Sequence, residues 1–347
     1  MIRKIGLWLV IALMVFDGRP SSGNSMELTG AGATFPYPLY NEMFSSYRRQ
    51  FGLLVHYKAL GSSEGIGRIL KKEIDFAASD AFLTEPERKM AREAVVHIPT
   101  CLGAVVIIYN LPSNPPLRFT PDLLADIFLG KIQKWSDPRI TAVNQRQSLP
   151  DMPITLVHRK DGSGTTFILS EYLSKVSKEW REKVGTGKLL KWPIGESAKH
   201  NPGVAGLVQQ ISGAIGYVEL TYALGNDLTM GEIRNKSGRY IRPGVESVTL
   251  AAQTPLPADT GISLTDTPAL EGYPLTSFTW LIVYREQNYN GRWREQAEEL
   301  VKLLWWIIHE GQRYTKPLQY APLPDEAVQK AEALIKTITY KGHKLWP

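Results

Sequence analysis

Apolar and polar positions along this chain switch repeatedly between the alternating spacing of strands and the three-to-four-residue spacing of helices. Residues 54–59 and 153–157 are rich in branched and aromatic side chains and predict short strands. Residues 37–50 and 167–175 instead repeat apolar side chains at helical intervals. A glycine-containing loop precedes each of these helices. This succession of strand, loop and helix predicts an α/β fold.

The first 25 residues have the pattern of a secretory signal peptide. Arg3 and Lys4 make the start positive, residues 5–16 form an apolar run of 12, and residues 17–25 are polar with small side chains. Twelve apolar residues are too few to span a hydrocarbon core of about 30 Å. We therefore expect residues 1–25 to be removed from an exported, soluble protein.

Composition and charge narrow the classes of partner. The chain has 347 residues, which allows two domains, and its net charge is +6. Removal of residues 1–25 takes away three positive charges and one negative charge, which leaves +4. This excess favours anions, but the basic residues are scattered and form no nucleic-acid motif, so no nucleic-acid partner is expected. The single cysteine, Cys101, excludes an intramolecular disulfide and is expected to be a small buried side chain.

The loop at residues 158–166 concentrates the chemistry of an anion site. It holds a fixed cation, two glycines and three hydroxyls, and it opens a predicted helix. The first turn of a helix has backbone N–H groups without partners and a partial positive charge, both of which stabilise an oxyanion. Arg159 adds a planar fork of donors that can bind two oxygens at once.

This loop is not a P-loop, because no lysine follows its second glycine. Ser163 does not fit the nucleophile elbow either, because Asp161 and Thr165 stand where that motif has glycines. Taken alone, the loop is equally explained as a flexible turn with a helix N-cap.

Two earlier loops have the same character. In the loop at residues 30–36, Thr34 is predicted to be the helix N-cap and Pro36 to lie in the first turn. The loop at residues 60–65 follows a strand and contains Gly-Ser-Ser-Glu-Gly, which matches G-x-S-x-G with Ser63 at the nucleophile position. A secreted serine hydrolase that uses Ser63, or a phosphoester hydrolase that uses the anion-binding loops, is therefore an alternative, although the chain has no oxyanion motif and no obvious triad partner.

Asp80 follows a predicted strand in which Ile74, Phe76 and Ala78 alternate on one face. The carboxyl end of a strand is where open α/β sheets bind ligands. Taken alone, Asp80 also fits a turn or a helix N-cap ahead of residues 84–87, and the sequence favours that simpler interpretation.

Together these elements resemble the periplasmic phosphate-binding protein of the high-affinity phosphate ABC transporter. The resemblance covers about residues 27–340 and rests on seven motifs, which are LTGAGATFP at 28–36, GSS at 61–63, DFAASD at 75–80, GKIQKW at 130–135, RKDGSGT at 159–165, KWPIG at 191–195 and GAIGYVE at 213–219.

The resemblance implies a set of phosphate ligands. Each supplies either a backbone N–H, a hydroxyl, the one full positive charge or the one acceptor, and the implied set is Thr34, Phe35, Ser62, Asp80, Arg159, Ser163, Gly164 and Thr165. Phe35 is expected to use its backbone, and Asp161 is expected to pair with Arg159 and fix its fork. The resemblance implies no catalytic residue, no metal and no cofactor.

Asp80, as the single acceptor, is expected to select the anion. A carboxylate repels an oxyanion unless the anion carries a proton to donate, as hydrogen phosphate does and sulfate does not. An unpaired buried partner of this kind costs about 1 to 3 kcal/mol or more. Sites that require a missing hydrogen reject the analogue by roughly ten-thousand-fold.

The resemblance also implies the architecture and the partners. The fold is two α/β lobes of the type II periplasmic binding proteins, joined by two crossing strands, and these proteins close about a hinge on the ligand. Lobe one is predicted at residues 27–101 plus 275–347, and lobe two at 102–274. Helices at 294–309 and 326–338 are expected to pack on lobe one as core. The implied partners are inorganic phosphate and an inner-membrane ABC permease with its ATPase. The protein itself is expected to be a monomer.

Glu64 departs from the family, which often has a small residue at this position. A carboxylate at a helix start favours the helix dipole but opposes an anionic ligand. We therefore expect the Glu64 side chain to point to solvent. His158 is interpreted as a strand-end residue.

Overall fold

The computed structural model of the protein describes residues 26–346, so the predicted signal peptide lies outside the described residues. Within them, the strands are β1 Glu27–Gly32, β2 Leu54–Ala59, β3 Phe76–Ser79, β4 Val95–Tyr109, β5 Arg118–Phe119, β6 Thr155–Arg159, β7 Glu196–Ala198, β8 Ala214–Glu219, β9 Thr229–Met230, β10 Glu232–Arg234, β11 Tyr240–Ile241, β12 Thr276–Tyr284, β13 Thr339–Tyr340 and β14 His343–Lys344.

The α-helices of the same part of the chain are α1 Tyr37–Phe51, α2 Ser62–Leu70, α3 Glu85–Ala91, α4 Pro121–Phe128, α5 Pro138–Val143, α6 Gly164–Val176, α7 Lys178–Lys183, α8 His200–Gln210, α9 Leu220–Gly225, α10 Val245–Ala251, α11 Arg294–Ile308 and α12 Asp325–Ile335. Two short 3₁₀ helices, Glu310–Tyr314 and Lys316–Leu318, lie between α11 and α12.

The main sheet has the strand order β2-β1-β3-β12-β4-β8-β6-β7, with β9 beside β4. Its two halves are parallel: β1 pairs with β2 and β3, and β6 pairs with β7 and β8. The antiparallel strands β4 and β12 lie between them. The α/β fold class is thereby confirmed.

The long strand β4 joins the two halves because it changes its partner along its length. Residues from Val95 to Ala104 pair with β12, and residues from Val105 to Tyr109 pair with β8. We call the half built on β1, β2, β3 and β12 the first lobe and the half built on β6, β7 and β8 the second lobe. The predicted boundaries at 101/102 and 274/275 stay a prediction, and they lie close to this change of partner.

The C-terminal helices pack as predicted. Helix α11 buries Leu303, Leu304 and Trp306, and it contacts β1 and β4. Helix α12 buries an alanine-rich face and contacts β4. Cys101 is fully buried in β4, as predicted. Within residues 26–346, no helix is both long enough and apolar enough to cross a membrane.

Two helices begin earlier than the apolar spacing predicts. Helix α6 begins at Gly164 because the Ser163 hydroxyl accepts from the Thr166 N–H at 3.2 Å and so caps the helix. Helix α2 begins at Ser62. The glycine- and serine-rich segments are therefore the first turns of helices, where unpaired backbone N–H groups collect.

Candidate anion-binding site

The predicted site residues come together where parallel strands of the two lobes end. Thr34 follows β1, Asp80 follows β3, and Ser62 starts the helix after β2; Arg159 is the last residue of β6 in the second lobe. These four side chains are buried, with at most 4% of any residue exposed. Each of these sequence elements has two interpretations when it is taken alone. In the structure they form one buried polar cluster.

The lobes are in contact across this cluster. The Gly164 N–H donates to the Ser62 hydroxyl at 3.1 Å, and the Ser63 N–H donates to the carbonyl of Gly162 at 3.1 Å. A methyl group placed on Gly164 would lie 2.4 Å from the Asp80 carboxylate. Glycine at this position is therefore what allows the lobes to approach so closely.

Asp161 holds the guanidinium of Arg159 and leaves one of its N–H donors without a partner. The Nε of Arg159 donates to Asp161 Oδ1 at 2.8 Å, and its Nη2 pairs with the other carboxylate oxygen. Nη1 is buried and has no partner among residues 26–346. Burial alone would raise the pKa of Asp161, but the hydrogen bonds and charge of Arg159 outweigh it and lower that pKa. The guanidinium is thus oriented by one carboxylate while a further N–H remains available to an anion.

Backbone donors surround the same cluster. The N–H groups of Phe35, Ser62 and Thr165 have no acceptor in the described part of the chain. By contrast, the Ser163 N–H donates to the carbonyl of Lys188 at 2.8 Å, and the Gly164 N–H is used by Ser62. Of the N–H groups predicted at α6, the one at Thr165 remains unpaired. The ring of Phe35 is fully buried against Gly103, which leaves its backbone facing the cluster.

The prediction that Thr34 caps α1 is wrong. The helix begins at Tyr37, Pro36 occupies the N-cap position, and no side chain caps it. Pro38 is the second helical residue and has no N–H for a cap to accept. The Thr34 hydroxyl instead accepts from the Nδ2 of Asn201, at 2.9 Å.

Asp80 faces the donors as a buried carboxylate. Its Oδ1 accepts from the Thr279 hydroxyl at 2.6 Å. Burial raises the pKa of Asp80 to about 7, although the hydrogen bond from Thr279, the charge of Arg159 and the hydroxyl of Ser62 each lower it. Above that pH the side chain is an acceptor within a ring of donors, and a ligand that carries a proton would complete it.

Sequence reasoning missed several polar residues around the cluster. Asn201 and Glu219 are fully buried, and Thr279 holds Asp80 although it lies 199 residues away in sequence. Burial raises the pKa of Glu219 to about 8, and its Oε1 has no partner among the described residues. Glu219 ends strand β8, so strand-end position could have indicated it; Asn201 carries no comparable local signal.

The structure also shows where three further residues from the sequence analysis lie, which are Ser63, Glu64 and His158. Ser63 lies in the first turn of α2, and its hydroxyl has no histidine partner within residues 26–346. Glu64 is exposed, with its carboxylate 2.8 Å from the Nε of Arg68, so the prediction that it points to solvent is confirmed. His158 is the second-last residue of β6, and its ring stacks on the ring of Trp192 with 4.8 Å between the ring centroids.

Comparison with known proteins shows the class of fold to which this chain belongs. Residues 17–308 match the family model described as a PBP superfamily domain. A solved structure of a high-affinity periplasmic phosphate-binding protein (PfluDING) bound with phosphate superposes with a TM-score of 0.72 at 19% identity, covering 89% of this chain and 93% of that one. The two-lobed periplasmic binding protein fold is therefore confirmed.

Sequence relatives define the family. The phosphate-binding protein PstS of Pasteurella multocida is 40% identical over 350 aligned residues, which cover 97% of this chain and 98% of that protein. PstS of Xylella fastidiosa is 40% identical over 314 aligned residues, which cover 89% of this chain and 85% of that protein. The chain belongs to the PstS family of phosphate-binding proteins. These relatives are named as binding proteins, which supports the prediction that the chain is not an enzyme.

Proposed function

We propose that this protein binds inorganic phosphate in the periplasm and delivers it, as a monomer and without changing it, to an inner-membrane ABC permease and its ATPase. Relatives that align over nearly their whole length are named as phosphate-binding proteins. The predicted signal peptide at residues 1–25 would direct the chain to that compartment. The phosphate ligands in this proposal are Thr34, Phe35, Ser62, Asp80, Arg159, Ser163, Gly164 and Thr165. Ser163 would donate its hydroxyl, since its N–H is bound to Lys188, and Gly164 would turn its N–H from Ser62 to the anion.

One observation carries the proposal: the buried cluster combines several unsatisfied donors with a single carboxylate. The unpaired Nη1 of Arg159 and the free N–H groups of Phe35, Ser62 and Thr165 suit an oxyanion. Asp80 would repel that anion unless the anion donates a proton to it. Hydrogen phosphate and dihydrogen phosphate can do so at neutral pH, and sulfate cannot.

The raised pKa of Asp80 fits this role. A carboxyl that titrates at about 7 shares its proton readily with inorganic phosphate, which itself carries one or two protons near neutral pH. One proton between the two groups satisfies both, whichever group holds it. With sulfate, Asp80 must either stay charged beside like charge or take up a proton from solvent, and either state weakens binding.

Calorimetric titration with phosphate and with sulfate at pH 8 tests the proposal. Tight phosphate binding, no sulfate binding and no turnover of phosphate esters are expected for the wild type. Asp80→Asn should weaken phosphate binding by about tenfold or more and narrow the gap between phosphate and sulfate. Glu64→Gln, which neutralises an exposed carboxylate in the same region, is the matched control and should leave that gap unchanged.

Two results would contradict the proposal in different ways. If the wild-type protein does not bind phosphate, the proposal that phosphate is the ligand is wrong. An Asp80→Asn variant that binds phosphate and rejects sulfate as the wild type does would overturn the part assigned to Asp80 and leave the ligand intact.

A further inference from the structure

Asn201, in the first turn of α8, links two threonines from opposite lobes. Its Nδ2 lies 2.9 Å from the hydroxyl of Thr34 in the first lobe and 3.4 Å from the hydroxyl of Thr165 in the second. All three residues are buried, and Asn201 is fully so. Neither threonine hydroxyl has another hydrogen bond among the described residues.

The orientation of this amide is fixed by a third contact. The backbone N–H of Glu219 lies 3.1 Å from Oδ1 of Asn201. A backbone N–H can only donate, so the atom facing it has to be the amide oxygen. The NH₂ group of Asn201 therefore faces the two threonines and donates to both.

This direction of donation determines what the hydroxyls can do. Each hydroxyl oxygen accepts from Asn201, and each keeps its own proton to give to another acceptor. Without the amide donor, either hydroxyl could turn its proton away from the cluster and present lone pairs to an incoming anion. Two free hydroxyl protons, one from each lobe, instead add to the donors at Arg159, Phe35 and Ser62.

We infer that Asn201 is a positioning residue for anion binding: it holds the hydroxyls of Thr34 and Thr165 as donors to the ligand and couples that arrangement to closure of the lobes. The inference rests on the proposed function, since it assumes that the anion is phosphate. It assigns Asn201 no direct contact with the ligand. Its effect on affinity passes entirely through the two threonine hydroxyls.

A contact that joins the lobes without orienting a hydroxyl proton provides the control. The Tyr222 hydroxyl, in the second lobe, donates to the backbone carbonyl of Thr34 at 2.6 Å. Tyr222→Phe removes one bond between the lobes and leaves both threonine hydroxyls as they are. Asn201→Ala removes the amide donor, and Asn201→Asp replaces it with a carboxylate that accepts from the hydroxyls and draws their protons away from the ligand.

The experiment is phosphate titration by calorimetry on these variants, after circular dichroism and melting have shown that each one folds. Asn201→Ala is expected to weaken binding by about 10- to 100-fold, and Asn201→Asp by more. Tyr222→Phe is expected to change the affinity by no more than about threefold. If Asn201→Ala does not fold, Asn201→Ser removes the same donor with a smaller change in polarity.

A double-mutant cycle separates positioning from a merely structural role. In a variant that carries both Thr34→Val and Thr165→Val, Asn201→Ala should cause no further loss of affinity. A loss of the same size in both backgrounds would overturn the inference, as would Asn201→Asp binding as tightly as the wild type. If the wild type itself does not bind phosphate, the proposed function fails before the Asn201 variants are compared.

Discussion

The ammonium of Lys188 lies 2.7 Å from the carboxylate of Glu87, and the two side chains belong to opposite lobes. Both are largely shielded, with 9% of the Lys188 side chain and 20% of the Glu87 side chain exposed. Burial would raise the pKa of Glu87, but hydrogen bonds from Lys188 and Thr84 outweigh it and lower that pKa. The carbonyl of Lys188 also accepts from the N–H of Ser163, so the ion pair is attached to the cap of α6.

We predict that this ion pair slows the release of ligand. Lys188→Met should raise the dissociation rate of phosphate by about tenfold with little change in the association rate, because the pair forms only when the lobes meet. Stopped-flow measurement of both rates checks this. Lys183→Met breaks an exposed pair with Glu179 inside α7 and serves as the control. Equal dissociation rates in the two variants would show that the Lys188 pair has no part in holding the lobes together.

Gly164→Ala is predicted to block closure. The added methyl group would lie 2.4 Å from Asp80 Oδ2 and 2.7 Å from the Ser62 hydroxyl, distances that real side chains do not tolerate. Phosphate affinity should fall by at least about a hundredfold, since closure is coupled to binding. Small-angle scattering in saturating phosphate should show a larger radius of gyration than that of the wild type.

Gly206→Ala is the matched control for that substitution. Gly206 lies inside α8, and a methyl group there would meet nothing within 4 Å. Because alanine is a better helix former, the variant should be more stable by about 0.5 to 1 kcal/mol and should bind phosphate normally. If Gly164→Ala also binds and closes normally, the close packing of Gly164 on Asp80 is not needed for function.

Asp80 is predicted to make the ligand-free protein less stable as the pH rises. Its pKa is 3.8 when exposed and about 7 in the folded protein, so between these values the folded state holds a proton that the unfolded state has lost. Stability linked to Asp80 is therefore present below about pH 4 and is lost as the pH rises to about 7. Asp80→Asn has no such loss, so its stability relative to the wild type should grow over this range by about 1 to 4 kcal/mol.

Denaturant unfolding without phosphate at several pH values between 4 and 8 measures that difference. Glu219 has a raised pKa for the same reason, so the wild type should lose stability from both carboxyls and Asp80→Asn from one. A difference between the two proteins that stays constant from pH 4 to pH 8 would mean that Asp80 does not titrate in this range.

The local parts of the site were predictable because each depends on a few neighbouring residues. The loop at residues 158–166 shows its strand, its glycines and its helix start within nine positions. Family resemblance then supplied the pairing of Arg159 with Asp161 and the assembly of the four loops. Spacing alone could not have done so, because Thr34 and Asn201 are 167 residues apart.

What the sequence could not predict was the use of individual hydrogen bonds. Local spacing suggested Thr34 as a helix cap, but two prolines removed the N–H groups that a cap requires. Gly164 was expected to offer its N–H to the anion, and in the structure that group donates to Ser62. The bond from Gly164 to Ser62 and the bond from Asn201 to Thr34 depend on how residues from distant segments meet, which apolar spacing does not encode.

Arg159→Lys is predicted to fail as a replacement even though it keeps the positive charge. Lysine cannot reproduce the two parallel bonds to Asp161 while also presenting a third donor in the position of Nη1. We expect at least a tenfold loss of phosphate affinity by calorimetry. Lys160→Met removes an exposed charge next to Arg159 and should change the affinity by less than about threefold, and by less still in high salt. If Arg159→Lys instead binds as the wild type does, then charge alone attracts the anion and the geometry of the guanidinium is not required.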